Sequence, residues 1–522
     1  MLDYLRRLAT TGAAYTAASI LSKLLAVALL PLYTAYLDPT DYGAAEVLFS
    51  AVVAASIVVR LGIIEALLRF FYLPDEDGDE VVRTGFAALL MASTLGALVL
   101  LPFAPQLADL LLDDGVDDAA GLVRIAIGGL WVLTLYEYLV SLYRLDERAR
   151  AYFTFTILHV LAAIPLTVVL VVGEGLGAEG LLLGSYVSGI PFVLWVIVTE
   201  RHRLALVPDR DLLGRMIRFG LPTMPAEVTL YALQFIDRII IVRSIGLAEA
   251  GLYALAFKFS QAIQVVVRGF QLAWPPLAYS IQDDDEARRT YAVVVTVFTA
   301  LCAFLVIGIW LEARWLVRFL AADEFFDSYE AIGPLAAGAA LYGVYLAQLV
   351  ILGRTGRTER NLPATAAGMV ANVVLNLLLV PPYGIVGAAV ALILSYLIVI
   401  ALMYAFTQRL FPIPWQWGRL AVIVISAAAL IAAGELLLPT DGALGLLSRA
   451  VLVALYPLIL WWGGAVAADE RTAVKAALAS GELRDRLRGM REGEAAGESG
   501  NEDPRAAEFI DAETRDQDRG GF

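Results

Sequence analysis

Val58-Val59-Arg60, inside the apolar stretch 43–68, recurs as Val266-Val267-Arg268 inside the stretch 250–276, 208 residues later. A charged residue kept twice, at matched places in two apolar stretches, implies a membrane protein built from two like halves. The same offset sets Arg7 over Arg215, Gly12 over Gly220, Gly43 over Gly251 and Phe49 over Phe257. Further along, Gly177-x-x-Gly180 and Gly384-x-x-Gly387 repeat at an offset of 207, with Ser188 over Ser395.

Composition agrees with a bilayer. Of 522 residues, 60% are hydrophobic and 17% charged, and the mean hydropathy of +0.73 is too high for a soluble globular chain. The first apolar stretch follows Arg6 and Arg7 and runs from about Thr10 to Leu37, too long for a signal-peptide core, so it is expected to stay as a helix. The net charge is -14, and only Lys23, Lys258 and Lys475 are lysines among 38 basic residues. Acids crowded into loops and tail suggest a high-salt host, although a GC-rich genome explains the scarce lysine as well. The single Cys302 cannot form an internal disulfide and reads as a small buried hydrophobe.

About 20 apolar residues cross a bilayer. That rule predicts spans near 10–37, 43–68, 82–103, 120–143, 152–172, 178–199, 216–242, 250–276, 291–311, 331–352, 362–381, 384–407, 419–438 and 444–467. The expected fold is therefore all-α, a polytopic membrane protein of about 14 transmembrane helices. Cytoplasmic loops should hold the basic residues. Starting inside, the inner segments carry Arg69, Arg83, Arg144, Arg148, Arg150, Arg201, Arg203, Arg210, Arg215, Arg288, Arg289, Arg354, Arg357 and Arg360, whereas the outer loops hold chiefly Arg243, Arg314, Arg318 and Arg449. An even count puts both termini in the cytoplasm.

The offset pairs the first six spans with the next six. Two pseudo-symmetric six-helix lobes follow, residues 1–200 and 201–410, with helices thirteen and fourteen (411–468) outside the repeat and a disordered cytoplasmic tail over 469–522. The polar segment Glu200 to Arg210 is the expected hinge between lobes. Pro31 interrupts span one late and Pro222 and Pro225 interrupt span seven early, as in helices that bend.

Enzyme signatures are thin: there is no phosphate loop, no metal cluster and no activated nucleophile, and nothing calls for a cofactor or nucleic acid. Asp283-Asp284-Asp285 reads as a solvated acidic loop, His159 as a packed or interfacial side chain and His202 as added inner charge. The intramembrane charges carry the signal, since each costs about 2.5–3.5 kcal/mol at a helix centre and needs a cavity or a partner. Lys23, Arg60, Lys258 and Arg268 are the candidate substrate-binding cations. Facing a central cleft they would hold a phosphate or pyrophosphate; snorkelling toward head groups suits Arg60 and Arg268 equally well, and Lys23 poorly.

The candidate gating or coupling residues are Glu65, Glu137, Glu227, Asp237, Asn372 and Asn376. Asp237 and Lys258 are expected to pair, as are Glu65 and Arg69, four apart on one helix. Glu227 is a partner for Lys23 or a proton or sodium site, and Glu137 stands unpaired. Asn372 and Asn376 are expected to hydrogen-bond between helices or to touch substrate. Few deep acids against more cations argue against a cationic drug as cargo.

Leu30-Pro31-Leu32-Tyr33 through Asp41-Tyr42-Gly43 resembles the first-loop signature of polysaccharide flippases in the multidrug/oligosaccharidyl-lipid/polysaccharide exporter superfamily. Phe219-Gly220-Leu221-Pro222, Ile236-Asp237-Arg238, Gly251-Leu252-Tyr253 and Asn372-Val373-Val374-Leu375-Asn376 are similar to the same family, in order, over about residues 5 to 410. The resemblance implies a flippase, not an enzyme. Its cargo would be a polyprenyl phosphate- or pyrophosphate-linked oligosaccharide, moved across the plasma membrane by alternating access, with the lipid tail left among the membrane lipids and H+ or Na+ a possible driving ion. An ion-coupled multidrug-type antiporter and a membrane glycosyltransferase are the second and third expectations.

Overall fold

Asp38 begins the first well-defined crossing. Its carboxylate accepts the Asp41 N–H at 2.8 Å and Pro39 fills the first helical turn, so the orphan donors of a helix start are met by its own sequence. The computed structural model describes residues 21, 25, 27–113, 115–222, 224–467 and 471–472. Among these every regular element is a helix. The N-terminal portion runs through α1 (Leu30–Tyr36), α2 (Pro39–Arg60), α3 (Ile63–Phe70), α4 (Gly78–Leu100), α5 (Ala104–Leu111), α6 (Ala119–Leu145), α7 (Ala149–Val168), α8 (Gly177–Val187) and α9 (Gly189–Thr199). The chain continues with α10 (Arg210–Gly220), α11 (Met224–Ile245), α12 (Leu247–Ser260), α13 (Ala262–Ser280), α14 (Asp284–Leu320), α15 (Tyr329–Arg354), α16 (Asn361–Leu410), α17 (Trp417–Leu437) and α18 (Gly442–Trp462). Described residues up to Tyr456 form one compact unit and those from Pro457 a second; all that follows concerns the first.

Length and composition qualify 10 of the described helices as membrane crossings, or 11 if the pair α12–α13, bent by 44°, is one span. The expected count of fourteen is not reached by this measure, for three physical reasons. Just over half of the first expected span, 10–37, lies outside the described residues, and what is described of it holds only the seven-residue α1. The seventh is broken at 221–223 into α10 and α11, with Pro222 and Pro225 at the break, and α11 carries Glu227, Asp237, Arg238 and Arg243. The eleventh and twelfth run together as α16, whose 50 residues bend back at Gly384, where φ is 57°. A straight helix of that length would measure about 75 Å, more than twice the hydrocarbon core. The second span also differs from expectation: it ends at Arg60, because Leu61 (φ 51°) and Gly62 (φ 69°) turn left-handed before α3. The expected cytoplasmic tail lies outside the described residues.

The repeat is visible in the backbone. α2 and α12 start at Pro39 and Leu247, 208 residues apart, and Gly177 and Gly384, 207 apart, both take positive φ, 52° and 57°. Where these related helices meet, glycine faces glycine. A methyl group on Gly43 would sit 2.2 Å from the Leu247 carbonyl oxygen, and one on Gly251 would sit 2.0 Å from that of Pro39. Backbones this close exclude any side chain.

At the opposite end of α2 a second such contact forms, with Gly62 and Gly220 each 2.2 Å, measured from a built Cβ, from the other's carbonyl oxygen. Around it, Arg69 lies 4.6 Å over the Phe219 ring, Phe70 packs on Phe219 at 6.1 Å, and Glu76 receives both terminal nitrogens of Arg215. Arg203 at this end is buried and bonded to Asp79 at 3.0 Å and Asp146 at 2.8 Å. The expected hinge over 200–210 is thus pinned to α4 and to the end of α6 rather than loose.

The four arginines that break the loop-charge pattern at the Asp38 end each have a local partner. Arg243 donates to the Asp109 carbonyl, Arg314 pairs with Glu435 at 3.1 Å, Arg318 with Asp441 at 2.5 Å, and Arg449 bonds the Gly434 carbonyl at 3.0 Å. These contacts of Arg314, Arg318 and Arg449 tie together α14, α17 and α18 up to Tyr456.

Gly251→Ala should destabilise the detergent-purified protein by about 1–3 kcal/mol, the cost of overpacking a closed contact. Gly128→Ala, on a helix face with nothing within 4 Å of the added methyl, should leave thermal unfolding unchanged or raise its midpoint. Equal unfolding curves for wild type and Gly251→Ala would refute the contact.

Candidate functional site

Arg60 is the last residue of α2, and each of its three guanidinium nitrogens has a neighbour. Nε donates to the Ser56 carbonyl at 3.3 Å, Nη2 donates to Glu227 Oε1 at 3.1 Å, and Nη1 stands 3.1 Å from Glu137 Oε2. The first partner belongs to its own helix, the other two to α11 and α6. The Glu137 contact is an ion pair without hydrogen-bond alignment, since that oxygen is buried with no hydrogen-bond partner. Glu65 adds a third negative charge to the surroundings of both acids. The expected pair of Glu65 with Arg69 does not form: Arg69 points to Phe219 instead. Four turns of helix away, toward Asp38, Lys258 of α12 binds Glu46 of α2 and lies 5.0 Å over the Tyr42 ring.

Lys258 was expected to pair with Asp237; it does not. Asp237 is fully buried and accepts hydrogen bonds from the Tyr253 hydroxyl and from the Arg238 N–H, the latter at 2.9 Å. Arg238 in turn reaches Ser50 of α2 and lies 5.0 Å over Phe257. Depth along consecutive helices was the ground for the Asp237–Lys258 pair, and depth does not fix rotation: Lys258 faces α2, while Asp237 faces Tyr253 on the same helix.

Arg268, the repeat mate of Arg60, has a different setting. It lies inside α13, is exposed, and among the described residues forms no ion pair; Tyr342 feels its charge. Lys23 lies outside the described residues. Asn372 and Asn376 are fully buried and bond each other along α16, Asn376 Nδ2 donating to the Asn372 carbonyl at 2.9 Å. Among the described residues the expected bond between helices does not form, and Asn372 Nδ2 and Asn376 Oδ1 have no partner there. His159 is packed, as expected, between Tyr136 at 4.6 Å and Phe192 at 5.3 Å, with Ser188 Oγ 3.3 Å from Nε2. Cys302 is buried. Asp283 caps α14 and Asp284 pairs with Arg354, so the acidic triplet serves the helix start.

Intramembrane acids are more numerous than the sequence reading allowed. Glu46 was missed, although an acid inside the apolar stretch 43–68 is flagged by the same cost rule that picked out Arg60. Arg238 was seen only as part of a motif. The cations do not prevail: Arg60 meets two carboxylates, Lys258 one, and Arg238 stands beside Asp237. A cleft of about 560 Å³ at the Asp38 end is lined by Asp38, Asp41, Asp117, Asp118 and Glu179, but no group of three His, Cys, Asp or Glu among the described residues is set to hold a metal.

The arrangement places charge pairs across helices distant in sequence, so each fastens one helix to another. Glu46→Gln alone strands the Lys258 ammonium and should cost on the order of 3 kcal/mol of thermal stability, most of it restored in Glu46→Gln with Lys258→Met. Additive effects of the two substitutions in a double-mutant cycle would show that the pair contributes nothing.

Comparison with known proteins places this geometry. The profile of a family described as polysaccharide biosynthesis protein matches residues 35–330. The succinoglycan biosynthesis transport protein ExoT of Rhizobium meliloti (strain 1021) is 25% identical over 316 residues, 59% of this chain and 61% of its own length. The match therefore spans about three fifths of that relative. Among solved structures, the lipid II flippase MurJ in an inward closed conformation aligns with 86% of this chain and 97% of its own at TM-score 0.68 and 14% identity. An inward-facing multidrug resistance MATE family transporter of the MOP superfamily covers 74% of this chain and 95% of its own at TM-score 0.63 and 15% identity. These structural likenesses establish the fold, and the profile match, over more than half of the chain, establishes the family. The chain is a multi-pass membrane protein that belongs to the polysaccharide biosynthesis protein family.

Proposed function

We propose that the protein is a flippase that moves a polyprenyl phosphate- or diphosphate-linked oligosaccharide across the cytoplasmic membrane by alternating access of two lobes, residues 1–200 and 201–410. The observation that carries the proposal is Arg60, a guanidinium held within the bundle between helices of both halves and already bonded to anionic groups. A charged linkage cannot cross hydrocarbon unaided, and a fixed guanidinium substitutes for the water it leaves. Arg268, exposed and unengaged by ion pairs among the described residues, is the natural first contact, with Lys258 and Lys23 as further cations. The names of the relatives agree: one transports in succinoglycan biosynthesis and another flips lipid II. The basic connections at the Arg203 end support a cytoplasmic location for that end and for both termini.

Coupling to H+ or Na+ is the second reading, favoured by the carboxylates Glu46, Glu137, Glu227 and Asp237 inside the spans. It predicts transport that stops when the matching ion gradient is collapsed and persists when the other is.

A deletion strain should accumulate a lipid-linked oligosaccharide. Arg60→Ala or Arg268→Ala, present in the membrane at normal levels, should restore surface glycan to about a tenth of the wild-type level or less, as expected for loss of a charge-assisted contact. Full restoration by both variants, read on extracted glycans and a membrane-fraction immunoblot, would overturn the assignment of these arginines.

A further inference from the structure

We infer that Glu137 and Glu227 form a displaceable clamp on Arg60, so that an anionic diphosphate head group binds there only by taking the place of a carboxylate. The inference rests on the reading of Arg60 as a contact to an anionic linkage. A guanidinium recognises a phosphate through two parallel N–H groups on one edge. In Arg60 each nitrogen already has a partner: Ser56 on Nε, Glu137 at Nη1 and Glu227 on Nη2. A diphosphate arriving at this residue therefore meets carboxylate oxygens where its own must go.

The exchange is feasible because the clamp is oversupplied and only partly buried. Two carboxylates, Glu137 and Glu227, meet one guanidinium, and Glu65 adds its charge to the surroundings of both acids; like charges at one site repel. The Glu137 and Glu227 side chains keep 33% and 42% of their surface exposed, against 13% for Arg60. A displaced carboxylate therefore has open surface beside it to move into, rather than close packing on every side. The Glu137 half is the looser, lacking hydrogen-bond alignment.

The two acids come from different places. Glu137 sits on α6, and Glu227 lies in the first turn of α11, just after the break at 221–223. Release of Glu227 unties α11 from the end of α2, next to a point where the chain is already interrupted. Cargo binding and the release of the first turn of α11 become one event, while Arg238 still holds the middle of α11 to Ser50; a ligand with different affinities for two states shifts between them in this way.

The full chain in phosphatidylcholine nanodiscs, titrated with farnesyl diphosphate and read by isothermal calorimetry, tests the clamp. Wild type should bind, Glu137→Gln with Glu227→Gln should bind about 10-fold more tightly, and Arg60→Ala should bind about 10-fold more weakly in either background. If the double variant does not fold, Glu227→Gln alone should still tighten binding by about 3-fold. Wild-type binding that the Gln variants leave unchanged or weaken, with the Arg60→Ala loss intact, overturns the clamp and leaves the anionic-cargo reading standing. Absence of binding by wild type and every variant overturns both.

Discussion

A charge inside hydrocarbon must find an opposite charge or a dipole, and in this protein the partners come from other helices. Arg60 of α2 is met by Glu137 of α6 and Glu227 of α11, and Lys258 of α12 by Glu46 of α2. Each pair offsets a desolvation cost that neither residue could meet alone. The helices that carry them are fixed to one another as a consequence.

α2 is the helix on which they converge. Glu46 and Arg60 stand on it about 21 Å apart at 1.5 Å per residue, each facing a partner from beyond residue 220. Glycine contacts close the chain on both sides of them, Gly43 with Gly251 and Gly62 with Gly220. Each end of α2 therefore combines a dry backbone contact, which tolerates no added atom, with an ionic contact that water and anions can compete for. Rocking of one half on the other would separate one such end while keeping the second closed.

Much of this was legible beforehand. The doubled Val-Val-Arg and the matched glycines gave the repeat, which the backbone follows in the starts of α2 and α12 and in the positive φ of Gly177 and Gly384. The prolines at 222 and 225 marked the break before α11. Arg60, Glu137 and Glu227 are each singled out by the sequence, but not as one cluster, because Glu227 reads as a partner for Lys23 or a proton or sodium site and Glu137 as unpaired. The Asp237–Lys258 and Glu65–Arg69 pairs failed for a related reason: spacing along a helix says which side chains are near in height, while pairing depends on the azimuth at which neighbours face each other.

The sequence by itself determined that the chain lies in a membrane, that it is helical and repeated, and which side chains inside the spans bear charge, since these follow from local hydrophobicity and spacing. Only the tertiary structure decided who neutralises whom. Lys258 and Glu46 are 212 residues apart in the chain and Arg60 and Glu227 are 167 apart. They meet because glycines without side chains let α2 approach α12 and α10 to backbone contact, setting a rotation and a crossing that no single helix encodes.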